Sequence, residues 1–450
     1  LQHFPGPVPT RGPAGPHARP EIPTPLREQD LAVSEKKKRV LMLTQWFEPE
    51  PTFKGLVLAR ELVERGFEVE VVTGFPNYPG GTLYPGYRIS MLSRERIDGV
   101  EVTRVPLYPS HDHSAVRRMA NYGSFALSAL LYSLFRARRP DVVYVYQLPT
   151  KAVVAAVLRL FRGTPFVYDV QDIWPDTLLA TGMGGGMMAR MAGAVAGWAY
   201  RNADALVVNS SGFRRLLLER GVAPEKTEVV LNWCDERSLR APADPTPAFP
   251  RDGRFRIVFA GNMGRAQALD SVLDAAERVR ERDPRIEFVL VGSGIETERL
   301  KAAAAERGLD NVAFVPRVPV AEVGRYLSQA DALLVHLKAD PLFAITIPGK
   351  TQAYMAMGKP VLMAAPGNAA ELVRDARCGI EAPPQDAAAI ADAAVRLASL
   401  SAGELREMGE RGRAYYNANL AVPVGVGRIA EMFERVAAGA GTARAAAPAR

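Results

Sequence analysis

The chain has 450 residues, 48% of them hydrophobic and 23% charged. At roughly 150 residues per domain this is material for two or three globular domains, and it excludes a disordered, collagen-like or coiled-coil protein. Its 56 basic and 49 acidic side chains leave a net charge of +7, a mild excess that suits an anionic substrate or an anionic lipid surface. No basic stripe interleaved with exposed aromatics is present, which argues against nucleic acid. Two cysteines, Cys234 and Cys378, are too few for a disulfide framework or a four-cysteine zinc site, and a cytoplasmic location is expected.

Residues 1–34 are expected to be a disordered tail, since residues 1–25 alone carry eight prolines and no apolar targeting segment. The run Glu35-Lys36-Lys37-Lys38-Arg39 reads as a solvated lead-in or a lipid-attracted basic patch. Apolar strands are then predicted at Val40–Thr44, Glu68–Thr73, Glu101–Val105, Val142–Tyr146, Phe166–Val170, Ala205–Val208 and Glu228–Leu231. Helix-period stretches separate them at Leu56–Glu64, 119–135, Lys151–Phe161, Met187–Tyr200 and Phe213–Glu219. Continuous apolar strands alternating with helices indicate a parallel sheet covered on both faces.

The 17 residues Met119–Phe135 are uncharged and collared by Arg117-Arg118 and by Arg136, Arg138 and Arg139. They fall short of the ~20 residues of a spanning helix. They read either as a buried domain helix or as an interfacial helix in peripheral contact with an anionic membrane.

Residues 234–253 form a linker, with four prolines between Ala241 and Gly253. The alternation then restarts, with strands at Arg256–Phe259, Glu287–Val291, Val312–Val315, Ala332–Val335 and Val361–Met363. This gives two doubly wound α/β domains, 39–233 and 254–419, facing across a cleft. Helices follow at Ala387–Leu397, Ala402–Ala414 and Val426–Val436; residues 420–437 are expected to return to the first domain, and 438–450 to be an unstructured tail.

Chemistry is expected in the loops after the strands, where helix N-termini present free amides and a positive dipole end. Lys54-Gly55 opens a helix where backbone amides could approach a phosphate. Gly261-Asn262-Met263-Gly264-Arg265 allows close backbone approach and adds a cation, and Gly292-Ser293-Gly294 is a weaker case of the same kind. Ile347-Pro348-Gly349-Lys350-Thr351 places amides, an ammonium and a hydroxyl at one helix start, which suits a diphosphate, without the spacing of a nucleotide-hydrolase P-loop.

Tyr168-Asp169-Val170-Gln171-Asp172-Ile173-Trp174-Pro175-Asp176 ends a buried strand, with Asp172 and Trp174 the leading functional candidates and Asp176 a helix cap. His111-Asp112-His113 lacks a third metal ligand and reads as an exposed loop touching substrate. No H-E-x-x-H, G-x-S-x-G or Asp-x-Asp motif occurs, and no metal or other cofactor is expected.

These features together resemble family 4 glycosyltransferases of the GT-B fold, over about Arg39 to Ala437. The likeness is strongest to the L-fucosamine transferase subgroup, in Gln171-Asp172-Ile173-Trp174-Pro175-Asp176, Ala260-Gly261-Asn262-Met263-Gly264, and Pro348-Gly349-Lys350 through Gly358-Lys359-Pro360. The resemblance implies retaining transfer of a sugar from a nucleotide-diphosphate sugar, with a UDP-sugar foremost. The acceptor would be a glycan or a polyprenyl-diphosphate-linked glycan of bacterial surface polysaccharide.

It also implies that Asp172, Lys350 and Arg265 act in catalysis. Gly55, Gly261, Asn262, Gly264, Gln267, Gly292, Pro316, Arg317, Gly349 and Thr351 would hold the donor, and Trp174, His111 and His113 the acceptor. Three features depart from the family pattern. Two glutamates that commonly flank the stretch 345–353 are missing, Gln267 stands where a lysine is common, and Gln171-Asp172 replaces a common histidine. A hydrolysing nucleotide-sugar epimerase on the same scaffold and a two-lobed small-molecule-binding protein are the rival readings.

Overall fold

The computed structural model describes residues 37–110, 114–177, 186–236, 239, 247–250 and 252–445. The residues from Lys38 onward form one compact unit built on two sheets. The expected N-terminal tail, His111 and His113 lie outside the described residues.

The first sheet contains β1 (Arg39–Leu43), β2 (Glu68–Gly74), β3 (Ser93–Ile97), β4 (Val100–Val105), β5 (Val142–Tyr146), β6 (Phe166–Val170), β7 (Ala205–Val208) and β8 (Thr227–Val229). Their order is β3-β4-β2-β1-β5-β6-β7-β8, parallel except for the β3–β4 pair. Between the strands run α1 (Gly55–Glu64), α2 (Ala115–Phe135), α3 (Pro149–Arg162), α4 (Gly186–Asn202) and α5 (Ser211–Glu219). Local chemistry fixes their ends. Ser114 caps α2 by accepting from the Arg117 N–H, while α3 has Pro149 in its first turn and stops at Gly163, in the left-handed region at φ 61°.

The second sheet contains β9 (Phe255–Asn262), β10 (Ile286–Ser293), β11 (Val312–Val315), β12 (Ala332–His336), β13 (Val361–Ala364) and β14 (Gly379–Glu381), all parallel, in the order β11-β10-β9-β12-β13-β14. Its helices are α6 (Asp270–Arg282), α7 (Thr297–Glu306), α8 (Val320–Gln329), the single turn α9 (Pro341–Ala344), α10 (Gly349–Met357), α11 (Asn368–Ala376), α12 (Ala387–Ala398) and α13 (Ala402–Asn419). A last helix, α14, runs Val422–Ala445.

Each sheet is buried on both faces. In the first lobe, α2, α3 and α4 cover one face through Phe125, Leu158 and Ala199, while α1 and α14 cover the other through Leu58, Ile429 and Phe433. Phe433 meets Tyr144 of β5 and Phe67 edge-on, at ring separations of 5.6 and 6.2 Å. The end of the chain thus completes the core of its beginning.

Two strands escape the sequence pattern. β3 and β14 are short, and neither holds a fully buried residue, so neither shows an apolar run. The final helix also continues past Ala438 to Ala445, where an unstructured tail was expected; alternating alanines favour the helix there despite Gly439 and Gly441.

The lobes are stitched at the start of α5. The Ser210 hydroxyl donates to the Ile345 carbonyl at 2.6 Å, the Gly212 N–H donates to Asn368 Oδ1 at 2.9 Å, and Asn368 Nδ2 donates to Ser211 Oγ at 2.9 Å. Phe433→Ala removes a buried ring from the first lobe and is expected to destabilise the protein by about 3–5 kcal/mol, read as a lower midpoint of urea unfolding.

Candidate active site

In each sheet one strand is flanked by neighbours whose connections leave in opposite directions, and the crevice at the carboxyl ends of that strand pair is the usual ligand site of such folds. In the second lobe the pair is β9 and β12. Gly261 and Asn262 end β9, exposed, and His336 ends β12. A Cβ on Gly292, at φ 136°, would fall 2.0 Å from the Gly261 carbonyl oxygen, so the two strand ends meet backbone to backbone. A Cβ on Gly261 would lie 3.3 Å from Lys350 Nζ.

Lys350 enters this crevice from the first turn of α10, with Pro348 as N-cap. Its ammonium is closed off from water, has no hydrogen-bond partner, and rests 3.4 Å from the centre of the Phe259 ring. Burial alone pulls its pKa down to about 7. The Thr351 hydroxyl, fully buried beside it in sequence, is also without a partner. A cation and a hydroxyl left unsatisfied at a helix N-terminus match what an anionic ligand supplies.

Neighbouring groups are already satisfied. His336 bonds the Gln267 carbonyl through Nδ1 at 2.7 Å and accepts the Gln385 N–H at Nε2, at 3.2 Å. This arrangement requires the neutral ring, and burial pushes the His336 pKa down to about 4. Gln267 Oε1 accepts the Gly264 N–H at 3.0 Å and so holds the loop after β9. Arg265 is turned outward, its side chain 85% exposed and 3.5 Å from Glu296. Pro316 and Arg317 are exposed at the end of the edge strand β11. Phe53 of the first lobe reaches across to Gly349, where its ring lies 3.0 Å from the position a Cβ would take.

In the first lobe the corresponding pair is β1 and β5. Asp169, at the end of β6 and fully buried, binds Lys54 Nζ at 2.5 Å, the Tyr144 hydroxyl at 2.5 Å and Gln171 Nε2. Asn232 donates to Gln171 Oε1 at 2.8 Å and extends the network. Asp172, two residues beyond the strand, forms no hydrogen bond or ion pair among the described residues, and desolvation raises its pKa above the ordinary carboxylate range. It is an acceptor without a donor.

Asp176 grips Arg220 with both oxygens at 2.8 and 2.7 Å, and the helix it was expected to cap runs on into residues outside the described ones. Trp174 packs against the first core and lines a groove of ≈580 Å³ against α4, its indole N–H buried and unpartnered. At Gly55, Glu48 occupies the helix N-terminus by accepting the Leu56 N–H at 3.0 Å, and a Cβ would strike Thr52 Oγ1. Among the described residues no group of His, Cys, Asp or Glu is placed to hold a metal ion.

Residues 56–233 match the model of the glycosyl transferase 4-like domain, and residues 254–399 that of glycosyl transferases group 1. The glycosyl transferase WcaI assigned to colanic acid biosynthesis in Escherichia coli is 30% identical over 310 residues, which is 66% of this chain and 75% of that protein. The chain belongs to the glycosyltransferase family.

The glycosyltransferase WbjE of Pseudomonas aeruginosa is 28% identical, over 60% of this chain and 68% of its own. Two solved structures share the GT-B fold. Sucrose-phosphate synthase from Thermosynechococcus elongatus has a TM-score of 0.69 at 18% identity, over 90% and 100% of the two chains. HepE from Anabaena, solved with UDP-glucose, has a TM-score of 0.64 at 17% identity, over 88% and 99%.

The structure of this glycosyltransferase therefore gathers Gly261, Asn262, Gly292 and Lys350 at one crevice, while it leaves Arg265 and Arg317 facing solvent. Sequence reasoning missed Lys54, Lys151 and His336. Lys151 carried a readable signal, because Pro149-Thr150-Lys151 at a helix start repeats the pattern of Pro348-Gly349-Lys350. The buried Lys54–Asp169 pair had none, since its members are far apart in the chain. Lys54→Met leaves the Asp169 charge buried and unpaired; the expected cost is about 3–5 kcal/mol in thermal or urea unfolding, largely recovered on adding Asp169→Asn.

Proposed function

We propose that this glycosyltransferase moves a sugar from a nucleotide-diphosphate sugar, a UDP-sugar foremost, to a glycan or polyprenyl-diphosphate-linked acceptor in bacterial surface polysaccharide synthesis, retaining the anomeric configuration. The observation that carries the donor half is the buried, unpartnered ammonium of Lys350 beside Gly261, at a helix start and at the crevice of the second sheet. A diphosphate satisfies it. UDP-glucose bound in HepE supports the choice of nucleotide, and the colanic acid assignment of WcaI supports the pathway.

In this reading the diphosphate departs from the same face that the acceptor attacks. The bond from the anomeric carbon to the diphosphate breaks, a bond to the acceptor oxygen forms, and the acceptor proton goes to the departing phosphate oxygen. Lys350, Thr351 and the amides opening α10 stabilise the departing charge, with no resident metal, through groups already in place. Asp172, lacking any donor of its own, accepts the hydrogen bond of the acceptor hydroxyl and orients it. Trp174 borders the acceptor.

Lys350→Ala is expected to remove most transfer activity, by about 10²–10³-fold, while the protein stays folded. The pH dependence has a definite sign. Free Lys350 titrates at about 7, and a bound diphosphate raises that value, so between about 7 and 10 the complex holds more protons than the free protein. Donor affinity should fall as pH rises through this window. Calorimetry in buffers of different ionisation enthalpy should show proton uptake that Lys350→Ala abolishes. A panel of nucleotide sugars assayed for nucleoside diphosphate release, with and without acceptor, tests the reaction: release into water regardless of acceptor would favour the epimerase-type hydrolysis.

Peripheral contact with the cytoplasmic face of an anionic membrane belongs to the same proposal. No described helix is long and apolar enough to cross a membrane. Twelve of the seventeen exposed large apolar side chains among the described residues nevertheless lie on α2, α3 and α4, including Leu131, Phe135, Leu160, Phe161, Met191 and Trp198. These three helices cover one face of the first sheet, contain no Asp or Glu, and are rimmed by Arg136, Arg139, Arg190 and Arg201. Pairing this face with its copy would set arginine against arginine, whereas anionic lipid complements it. The protein should sediment with vesicles of phosphatidylcholine and phosphatidylglycerol in equal parts, and not with phosphatidylcholine alone. Leu160→Ser with Phe161→Ser should lower the partition coefficient by about tenfold or more.

A further inference from the structure

The first lobe repeats in its own crevice the arrangement built around Lys350. β1 pairs with β5 as β9 pairs with β12, and the next full helix in each case opens at a proline, Pro149 before Lys151 and Pro348 before Lys350. Lys151 is 1% exposed, and its ammonium has no hydrogen-bond partner. It lies 5.7 Å from the centre of the Trp46 ring, in the loop that leaves β1.

Among the described residues no acidic side chain pairs with it. Asp169 is taken by Lys54, Tyr144 and Gln171, Glu50 by the N–H groups of Phe47, Asn77 and Tyr78, and Glu48 by the Leu56 N–H. Three more polar atoms, in the loops that leave β1 and β5 and in the first turn of α3, are buried without partners: Gln45 Oε1, Gln147 Oε1 and Thr150 Oγ1.

An ammonium sealed away from water without a counter-ion is unfavourable in the free protein, and a methionine would fill the same space at lower cost. Its presence, together with orphaned carbonyl oxygens from two loops, matches a ligand bearing both a negative charge and hydroxyl donors. We infer that Lys151, with Gln147 and Thr150 just before it in the chain and Gln45 beside Trp46, forms a subsite for a phosphorylated glycan, in which Lys151 takes the phosphate or diphosphate and the two carboxamide oxygens accept hydrogen bonds from sugar hydroxyls. This rests on the reading of the first lobe as the acceptor lobe, and it narrows the acceptor to a phosphorylated one, free or lipid-linked. Burial alone brings the Lys151 pKa down to about 7, so a bound phosphate restores its full charge.

Inorganic pyrophosphate is the probe. Calorimetry should find two sites on the intact protein, one on Lys151→Met, one on Lys350→Ala and none on the double variant. A single site that Lys350→Ala removes overturns the inference and leaves the donor reading intact. Sites that depend on Lys151 but not on Lys350 uphold the inference and sink the donor reading instead.

The KM for a sugar phosphate or a polyprenyl-diphosphate sugar should rise about ten- to hundredfold in Lys151→Met, with kcat less affected and no change for the dephosphorylated glycan. An effect confined to the lipid-linked substrate assigns the anion to the lipid headgroup, and an effect on both assigns it to phosphate generally. An equal KM for phosphorylated and dephosphorylated glycans overturns the inference. Ligand-free Lys151→Met should melt at a higher temperature than the parent; a lower one would mark Lys151 as a structural residue and overturn it as well.

Discussion

A buried ammonium with no counter-ion and no hydrogen-bond partner raises the free energy of the folded chain, and among the described residues this glycosyltransferase keeps Lys151 and Lys350 in that state, each in the first turn of a helix beside its lobe's crevice. The rest of the architecture makes that arrangement sustainable. Parallel strands direct their carboxyl ends to one side, and the helices that follow begin there, so free amides and the lysines of the first helical turns collect at the crevices. Large cores beneath supply the stability that the unsatisfied groups subtract.

Other charges of the site are neutralised internally, and the contrast is informative. Lys54 and Asp169 are fully buried but hold each other, with Tyr144 and Gln171 completing the hydrogen bonding of the carboxylate. His336 spends both ring nitrogens on backbone groups and, being neutral, serves as a strut between β12 and the loop after β9. Such residues shape the crevice. Lys350, Thr351 and Lys151 are left with buried polar atoms that have no hydrogen-bond partner among the described residues.

The crevices act together only because the lobes are held in register. Three hydrogen bonds join the start of α5 to Ile345 and Asn368, Phe53 reaches over to Gly349, and α14 leaves the second lobe to pack Phe433 into the first. The contact at Gly212 is close enough that a Cβ there would meet Asn368 and Ile345 at 2.5 Å. The stitch therefore depends on a residue with no side chain.

Much of this was legible along the chain. Buried parallel strands read as unbroken apolar runs, so Val142–Tyr146 or Phe166–Val170 declare themselves without reference to anything distant. Pro348-Gly349-Lys350 announces a helix start with a cation, and Pro149-Thr150-Lys151 announces the same to a reader who looks for it. β3 and β14 stayed hidden because a half-exposed edge strand needs no apolar run. The sequence alone thus determined the alternation of elements and the two-lobed plan, since these follow from local propensity and periodicity. Which charges would be satisfied was decided only by the tertiary structure. Asp169 finds Lys54 115 positions away and Asp176 finds Arg220 44 positions away, while Asp172 finds no hydrogen-bond or ion-pair partner among the described residues; such partners are set by the crossing of strands and helices in space, which no local pattern encodes.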